Sequence, residues 1–374
     1  MNALKRWDIF CKIVDNFGDI GVCWRLARQL QSEHGLQIRL WIDDLDSAQK
    51  IIPNLNLAHK SQVCDKITVL KWPIAAKEGD TDFSQAADVV IEAFACELPA
   101  SYLAAMARKQ SKWVNLEYLS AEPWVADFHG KPSPQPQHSL IRYFYFPGFT
   151  EATGGLIRER DILGPHYDKG RNDVECLKIS LFCYPYAPIH RLLTAMIDSN
   201  EVINCYVPTS GILPQIADFF GEQTIGVGDY LSYDNLHVHI LPFLSQADYD
   251  KLLRDCDINF VRGEDSWVRA IWAGKPFIWQ PYLQTEHTHV KKLKAFIDVF
   301  YANCEQKDVL WKAHEYWATK HGLQINFRQG DFREIWHNYI ISLQAIKLHT
   351  KMQSQKLAQQ TDLAAKLVIF CNHI

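Results

Sequence analysis

WDIFCKIVDNFGDIGVCWRLARQL, residues 7–30, opens with an apolar run, breaks at a short polar turn and resumes with helical spacing. The run at 7–14 predicts a β-strand, and 20–33 predicts an amphipathic helix. A strand that feeds straight into a helix is half of a βαβ unit. Further strands are expected at 37–42, 67–71, 88–93, 112–118 and 142–146, with a helical pattern at 99–109 among them. This alternation predicts a parallel sheet.

The pattern then pauses and restarts. KPSPQPQ (131–137) reads as a surface loop with three prolines, and the Gly- and charge-rich stretch 153–173 reads as a linker. Beyond it, strands are expected at 177–184, 202–207, 238–242, 257–261 and 276–280. Helices are expected at 189–198, 246–256 and 266–273. After Glu286 only helical patterns remain, ending in a long helix pair at 332–371. The fold class is α/β, with Rossmann-like domains at 1–165 and 174–349 and a helical tail. Open parallel sheets bind ligands beyond the carboxyl ends of their strands. If the two sheets face each other, the site lies in the cleft between them.

Composition excludes several function classes. The 374 residues carry 39 Lys+Arg against 43 Asp+Glu, a formal charge of −4, which argues against a dedicated nucleic-acid binder. No run reaches the roughly 18 apolar residues of a membrane helix. MNALKRWDIF turns acidic at Asp8 before an apolar signal region could form. The ten cysteines include no CxxC pair, so buried free thiols in a reducing cytoplasm are expected. The 12 tryptophans could fill cores or stack on ligands, and composition does not choose.

Three loops that follow strands could carry chemistry. In the first, Asp15-Asn16-Phe17-Gly18-Asp19 opens the first helix where a dinucleotide site would place GxGxxG, and that fingerprint is absent. Its two carboxylates suit a cation or a proton; alternatively, Asp15 starts a turn and Asp19 caps the helix. In the second, Arg262-Gly263-Glu264-Asp265-Ser266 offers a cation, a flexible glycine and a helix N-terminus, the makings of a diphosphate cradle. It could equally be a well-capped helix, with Asp265 or Ser266 as N-cap, and an Arg–Glu pair. In the third, Phe182 and Tyr184 alternate to one face and offer rings, as core packing also would. Phe243 and Gln246 add a platform and an amide after the strand at 238–242. Asp255-Cys256-Asp257 precedes a strand, the wrong end for a metal-binding DxD, and Asp43-Asp44-Leu45-Asp46 more simply caps a helix. The pairs His237/His239 and His287/His289 lack a nearby third ligand. No metal is expected.

Two long segments, residues 7–30 and FVRGEDSWVRAIWAGKPFIWQ (260–280), together resemble the bacterial protein-arginine rhamnosyltransferases that modify elongation factor P. SLFCYPYAP (180–188) and ILPFLSQADYDKLL (240–253) look like the same family, so the resemblance covers nearly the whole chain. It implies a GT-B fold: two facing Rossmann-like domains with an interdomain cleft, and a C-terminal helix at about 350–374 packing back on the first domain. It implies inverting, metal-independent transfer of rhamnose from dTDP-β-L-rhamnose, with no cofactor, to an arginine of elongation factor P. By motif match, Asp15 and Asp19 fall on acceptor-side aspartates, with Asp19 as general base, and Glu264 on an essential glutamate. Asn16, Phe17, Gly18, Phe182, Tyr184, Phe243, Gln246, Arg262, Gly263, Asp265 and Ser266 fall to the donor. Tyr184-Pro185-Tyr186 departs locally, leaving open which tyrosine meets the donor. The alternatives are a GT-B transferase with another nucleotide sugar or acceptor, and a non-catalytic binding partner of elongation factor P.

Overall fold

The computed structural model describes residues 5–15, 17–72, 83–163, 176–319 and 331–374. The chain folds into two compact units, Met1–Ile162 with Ala358–Ile374 (unit 1) and Leu163–Leu357 (unit 2).

Unit 1 contains β1 (Arg6–Cys11), α1 (Gly18–His34), β2 (Gln37–Ile42), α2 (Leu45–Ala48), β3 (Ser61–Cys64) and β4 (Ile67–Lys71). It continues with β5 (Val89–Ala93), α3 (Ala100–Lys109), β6 (Lys112–Leu116), α4 (Val125–Phe128), β7 (Pro132–Gln135) and β8 (Leu140–Tyr145). The sheet order is β3-β4-β2-β1-β5-β6-β8-β7. Only β3 and β7, at the two edges, pair antiparallel. Strand alternation sends Trp7, Ile9 and Cys11 of β1 into one core with Trp24, Leu40 and Ile91, and Phe10 into the other with Trp41, Tyr102 and Met106.

Residues 131–137, expected as a loop, contain β7. Its register sets Pro132 opposite Tyr143 and Pro134 opposite Ile141. On an edge strand every second N–H faces away from the sheet, so prolines at alternate positions forfeit no ladder bond. The expected linker is also partly wrong. Thr153, Leu156 and Ile157 are buried in unit 1. A Cβ on Gly154 would stand 2.5 Å from a Tyr145 ring carbon. Glycine here permits close packing, which composition had suggested was flexibility; residues 164–173 lie outside the described ones.

Unit 2 contains β9 (Leu177–Leu181), α5 (Ile189–Ile197), β10 (Ile203–Pro208), α6 (Leu213–Phe220), β11 (Tyr230–Tyr233), β12 (Leu236–Leu241) and α7 (Gln246–Asp255). Next come β13 (Ile258–Arg262), α8 (Asp265–Ala273), β14 (Phe277–Gln280), α9 (Thr288–Phe300), α10 (Lys307–Ala318), α11 (Asp331–Ile341) and α12 (Leu343–Ala358). The sheet order is β11-β12-β10-β9-β13-β14, parallel except for β11. The expected terminal helix pair is three helices. α12 belongs to unit 2 as far as Leu357, with His349 bonded to the Phe300 carbonyl at 3.0 Å. α13 (Leu363–His373), capped by Asp362, then buries Leu363 and Leu367 in unit 1.

Trp124 is exposed and Trp311 half-buried, while the other tryptophans are buried, which gives most of those rings to the cores. All ten cysteines are free, and all but Cys176 are buried. Among the described residues no helix is long and apolar enough to cross a membrane.

Candidate active site

In unit 1 the chain runs outward from β1 to β2 and later returns to β5 on the other side of β1. The gap between β1 and β5 is therefore a topological switch point, where the loops diverge and a ligand can enter. Unit 2 repeats the device between β9 and β13. Most of the sequence-expected residues leave β1, β9 and β13 at these two places, whereas Phe243 and Gln246 follow β12.

The unit 1 loop is built around Asp19, which is 2% exposed. It does not cap the helix amides: the N-cap is Phe17, with no side-chain cap bond. Instead its Oδ2 reaches back and accepts the Val14 and Asp15 amides at 2.8 and 2.9 Å. Tyr118 donates its hydroxyl to Oδ1 at 3.3 Å. Burial pushes the Asp19 carboxyl up from its usual range; the charge of Asp15 pushes the same way, and the amide and hydroxyl bonds oppose. Asp15 starts the expected turn, its carbonyl accepting the Gly18 amide at 2.7 Å. A Cβ on Gly18 would lie 2.9 Å from Asp15 Oδ2, so the glycine makes room for the carboxylate. Asp43 accepts the Ile13 amide at 2.9 Å, while Asp44 caps α2. Asn16 lies outside the described residues.

The unit 2 loop is built around a cation. The Arg262 guanidinium lies 4.4 Å from the Phe182 ring centroid and 4.7 Å from that of Tyr184, and it donates to the Cys183 carbonyl at 3.3 Å. Gly263 has φ of 60°, a left-handed turn that favours glycine. Trp279 Nε1 donates to the Gly263 carbonyl at 2.7 Å and stacks on Trp267, fixing that turn. The N-cap of α8 is Glu264, without a side-chain cap bond, whereas Asp265 or Ser266 was expected. Ser266 is instead engaged one turn back: its Oγ bonds the Arg262 carbonyl and accepts the Arg262 amide. Asp265, at the first helical position, accepts from Gln246 Nε2 at 3.5 Å. Gln246 itself opens α7 behind its Ser245 cap, and Phe243, 36% exposed, stands just before it.

The two tyrosines separate. Tyr184 donates its amide to Gln280 Oε1 at 2.7 Å and lies under Arg262, while Tyr186 commits its hydroxyl to the Pro281 carbonyl at 2.8 Å. Sequence reading missed Tyr118, Phe94, Trp279 and Tyr249, the last T-shaped against Phe182 at 5.5 Å. Tyr118 follows β6, so the rule that searches loops after strands would have reached it.

Among the described residues no group of three or more His, Cys, Asp or Glu is placed to hold a metal. His237 bonds Tyr230, His239 bonds Asn204, and Asp257 accepts the Lys178 amide. Chemically, the unit 1 loop offers carboxylates for a cation and a proton. The unit 2 loop offers an arginine and a helix N-terminus for an anionic diphosphate.

Two Rossmann-like units with such switch-point loops have the architecture of the GT-B fold. MurG of Acinetobacter baumannii shares this fold, with a TM-score of 0.56 at 12% identity over 99% of this chain and all of that one. Residues 7–372 match the family described as elongation factor P (EF-P) rhamnosyltransferase EarP. The protein-arginine rhamnosyltransferase of Pseudomonas putida is 40% identical over 389 residues, covering 97% of this chain and 98% of the relative. A solved structure described as the basis for EarP-mediated arginine glycosylation of translation elongation factor EF-P has a TM-score of 0.64 at 30% identity, over 98% and 99% of the two chains. The chain belongs to the EarP family and is a protein-arginine rhamnosyltransferase.

Proposed function

We propose that the enzyme transfers L-rhamnose from dTDP-β-L-rhamnose to an arginine side chain of elongation factor P, with inversion and without a metal or other cofactor. The observation that carries this reading is the setting of Asp19: a buried carboxylate beside a second one, at the switch point of a transferase whose relatives modify arginine.

Arginine is a poor nucleophile because its guanidinium stays protonated, with a pKa above about 12. A carboxylate of ordinary pKa near 4 cannot remove that proton beforehand. Proton loss therefore accompanies attack. Asp15 and Asp19 orient the planar fork through charge-assisted bonds. Because Asp19 Oδ2 already accepts two amides, Oδ1 is the oxygen with capacity for the proton. As the C–N bond forms, the anomeric C–O bond breaks and its electron pair leaves with the diphosphate. Arg262 and the N-terminus of α8 stabilise that growing charge. Attack opposite the leaving group inverts the β-linked centre. Glu264 is the third carboxylate of this chemistry. Phe182, Tyr184, Phe243, Gln246, Gly263, Asp265 and Ser266 are assigned to the nucleotide sugar. Free thiols suit the reducing cytoplasm as the place of action.

Mixing the enzyme with elongation factor P and dTDP-rhamnose is expected to add one deoxyhexose to the acceptor, read by intact mass. An unmodified acceptor, with the enzyme shown to be folded, would overturn the proposal. Full turnover in excess chelator is expected, and strong inhibition would contradict the metal-free chemistry.

A further inference from the structure

Asp19 is held from two directions. Its own loop supplies the amides on Oδ2, but the donor on Oδ1 comes from Tyr118, just beyond β6 and 99 positions away in sequence. The Tyr118 ring is itself placed: it stacks on Phe94, with centroids 4.3 Å apart and planes 14° apart. Phe94 leaves β5 at the same switch point, and the loop it begins is strained. Phe94, Ala95 and Glu97 have φ of 58°, 52° and 61°. Such a conformation is unfavourable for a non-glycine residue and persists only where its surroundings enforce it.

The enforcement is visible. The Phe94 amide donates to the Leu116 carbonyl at 2.7 Å, and the Ala95 amide donates to Asn115 Oδ1 at 3.1 Å. The Glu97 amide donates at 3.0 Å to Glu92, a carboxylate 2% exposed that also accepts Trp113 Nε1 and pairs with Arg142. A buried acidic anchor thus holds a left-handed loop whose first residue carries the ring under Tyr118.

We infer that Tyr118, seated on Phe94, is a positioning residue that fixes the Asp19 carboxylate for the transfer. The inference rests on the reading of Asp19 as proton acceptor. The hydroxyl bond favours the charged carboxylate, so losing it would raise the pH at which Asp19 takes up a proton. The other groups facing Asp19 are Asp15 on its own loop and Cys11 at the end of β1, with Asp43 facing Cys11. None is altered by the test below.

Tyr118→Phe keeps the ring that stacks on Phe94 and removes the hydroxyl. Losing a long hydrogen bond to a charged group should lower kcat by about ten-fold. The donor Kd should stay unchanged, and the acid limb of the kcat–pH profile should move to higher pH. Phe94→Leu should lower kcat and shift the limb in the same direction by a smaller amount. Wild-type kcat with an unmoved limb in Tyr118→Phe would overturn the inference. So would a fall in kcat without a shift, which would place Tyr118 on the substrate and not behind Asp19. Asp19→Asn is run in parallel. If it remained active, the reading of Asp19 would fail and the inference with it; if it were inactive while the Tyr118→Phe profile did not move, only the inference would fail.

Discussion

At the carboxyl end of β1 in unit 1 stand Asp15 and Asp19; at the carboxyl end of β13 in unit 2 stand Arg262 and the left-handed Gly263. Both places are switch points of parallel sheets with the same outward-and-return path. One collects carboxylates and buries Asp19. The other spreads a guanidinium over two rings and leaves a helix N-terminus beside it. The same topology thus supplies opposite electrostatics, and the chemistry belongs to the loops and not to the sheets. The balanced net charge of −4 conceals this division.

The comparison breaks most sharply at Asp19. Asp19→Asn should lower kcat by about a thousand-fold, the middle of the range for a general base, with nucleotide affinity intact by titration calorimetry. Loss of nucleotide binding would move Asp19 to the donor half. Arg262→Ala should do the reverse and weaken nucleotide affinity by about ten- to a hundred-fold, as expected for a charge-assisted contact. Unchanged affinity would remove Arg262 from the diphosphate cradle.

The two glycines sharpen the contrast, because they are needed for different reasons. Gly263→Ala forces a side chain into the left-handed region, at about 1 kcal/mol, and should weaken nucleotide affinity roughly five-fold. Gly18 has no such backbone demand; its alanine would meet Asp15 Oδ2 and displace it. The motif match gives Gly18 to the donor, but its packing against Asp15 predicts that Gly18→Ala lowers kcat while leaving nucleotide affinity alone; a loss of affinity would return Gly18 to the donor. Identical effects from the two substitutions would remove the distinction.

The smallest expected effect is on stability and compares one histidine from each unit. Burial holds His129 of unit 1 and His314 of unit 2 down to about 4. An unfolded histidine takes its proton near 6.5, so the folded state binds fewer protons between about 6.5 and 4. That stability is complete above the upper value and is lost as pH falls toward the lower one. His314 donates its Nδ1 proton to the Leu310 carbonyl at 2.9 Å, and among the described residues its buried Nε2 has no partner, so a second ring proton would find no acceptor. His314→Leu should flatten the fall in thermal midpoint across this range; an equally steep fall would contradict the assignment.

Much of the fold was legible because strands and helices write their periods locally. β2 and β4 have the expected bounds, and α1, α7 and β14 fall within two residues of expectation. The short antiparallel edge strands β3, β7 and β11 were not legible: each is four residues long, and half of β7 is proline. At the site, the loops after β1 and β13 could be found from charge and glycine placement. What those residues do there could not. Helix capping, one of the two readings open for Asp19, gave way to acceptance of loop amides, and Ser266, one of two candidate caps, bonds one turn back.

By itself the sequence determined two α/β halves, the family, and the residue types that a cationic acceptor and an anionic leaving group require. Only the tertiary structure decided which oxygen of Asp19 accepts the loop amides, that Tyr184 lies under Arg262 while the Tyr186 hydroxyl bonds Pro281, and that Tyr118 and Phe94 stand behind the carboxylate. The reason is range. Periodicity and turn chemistry are set by neighbours in the chain, whereas hydrogen-bond partners and burial are set by residues that folding brings from far away.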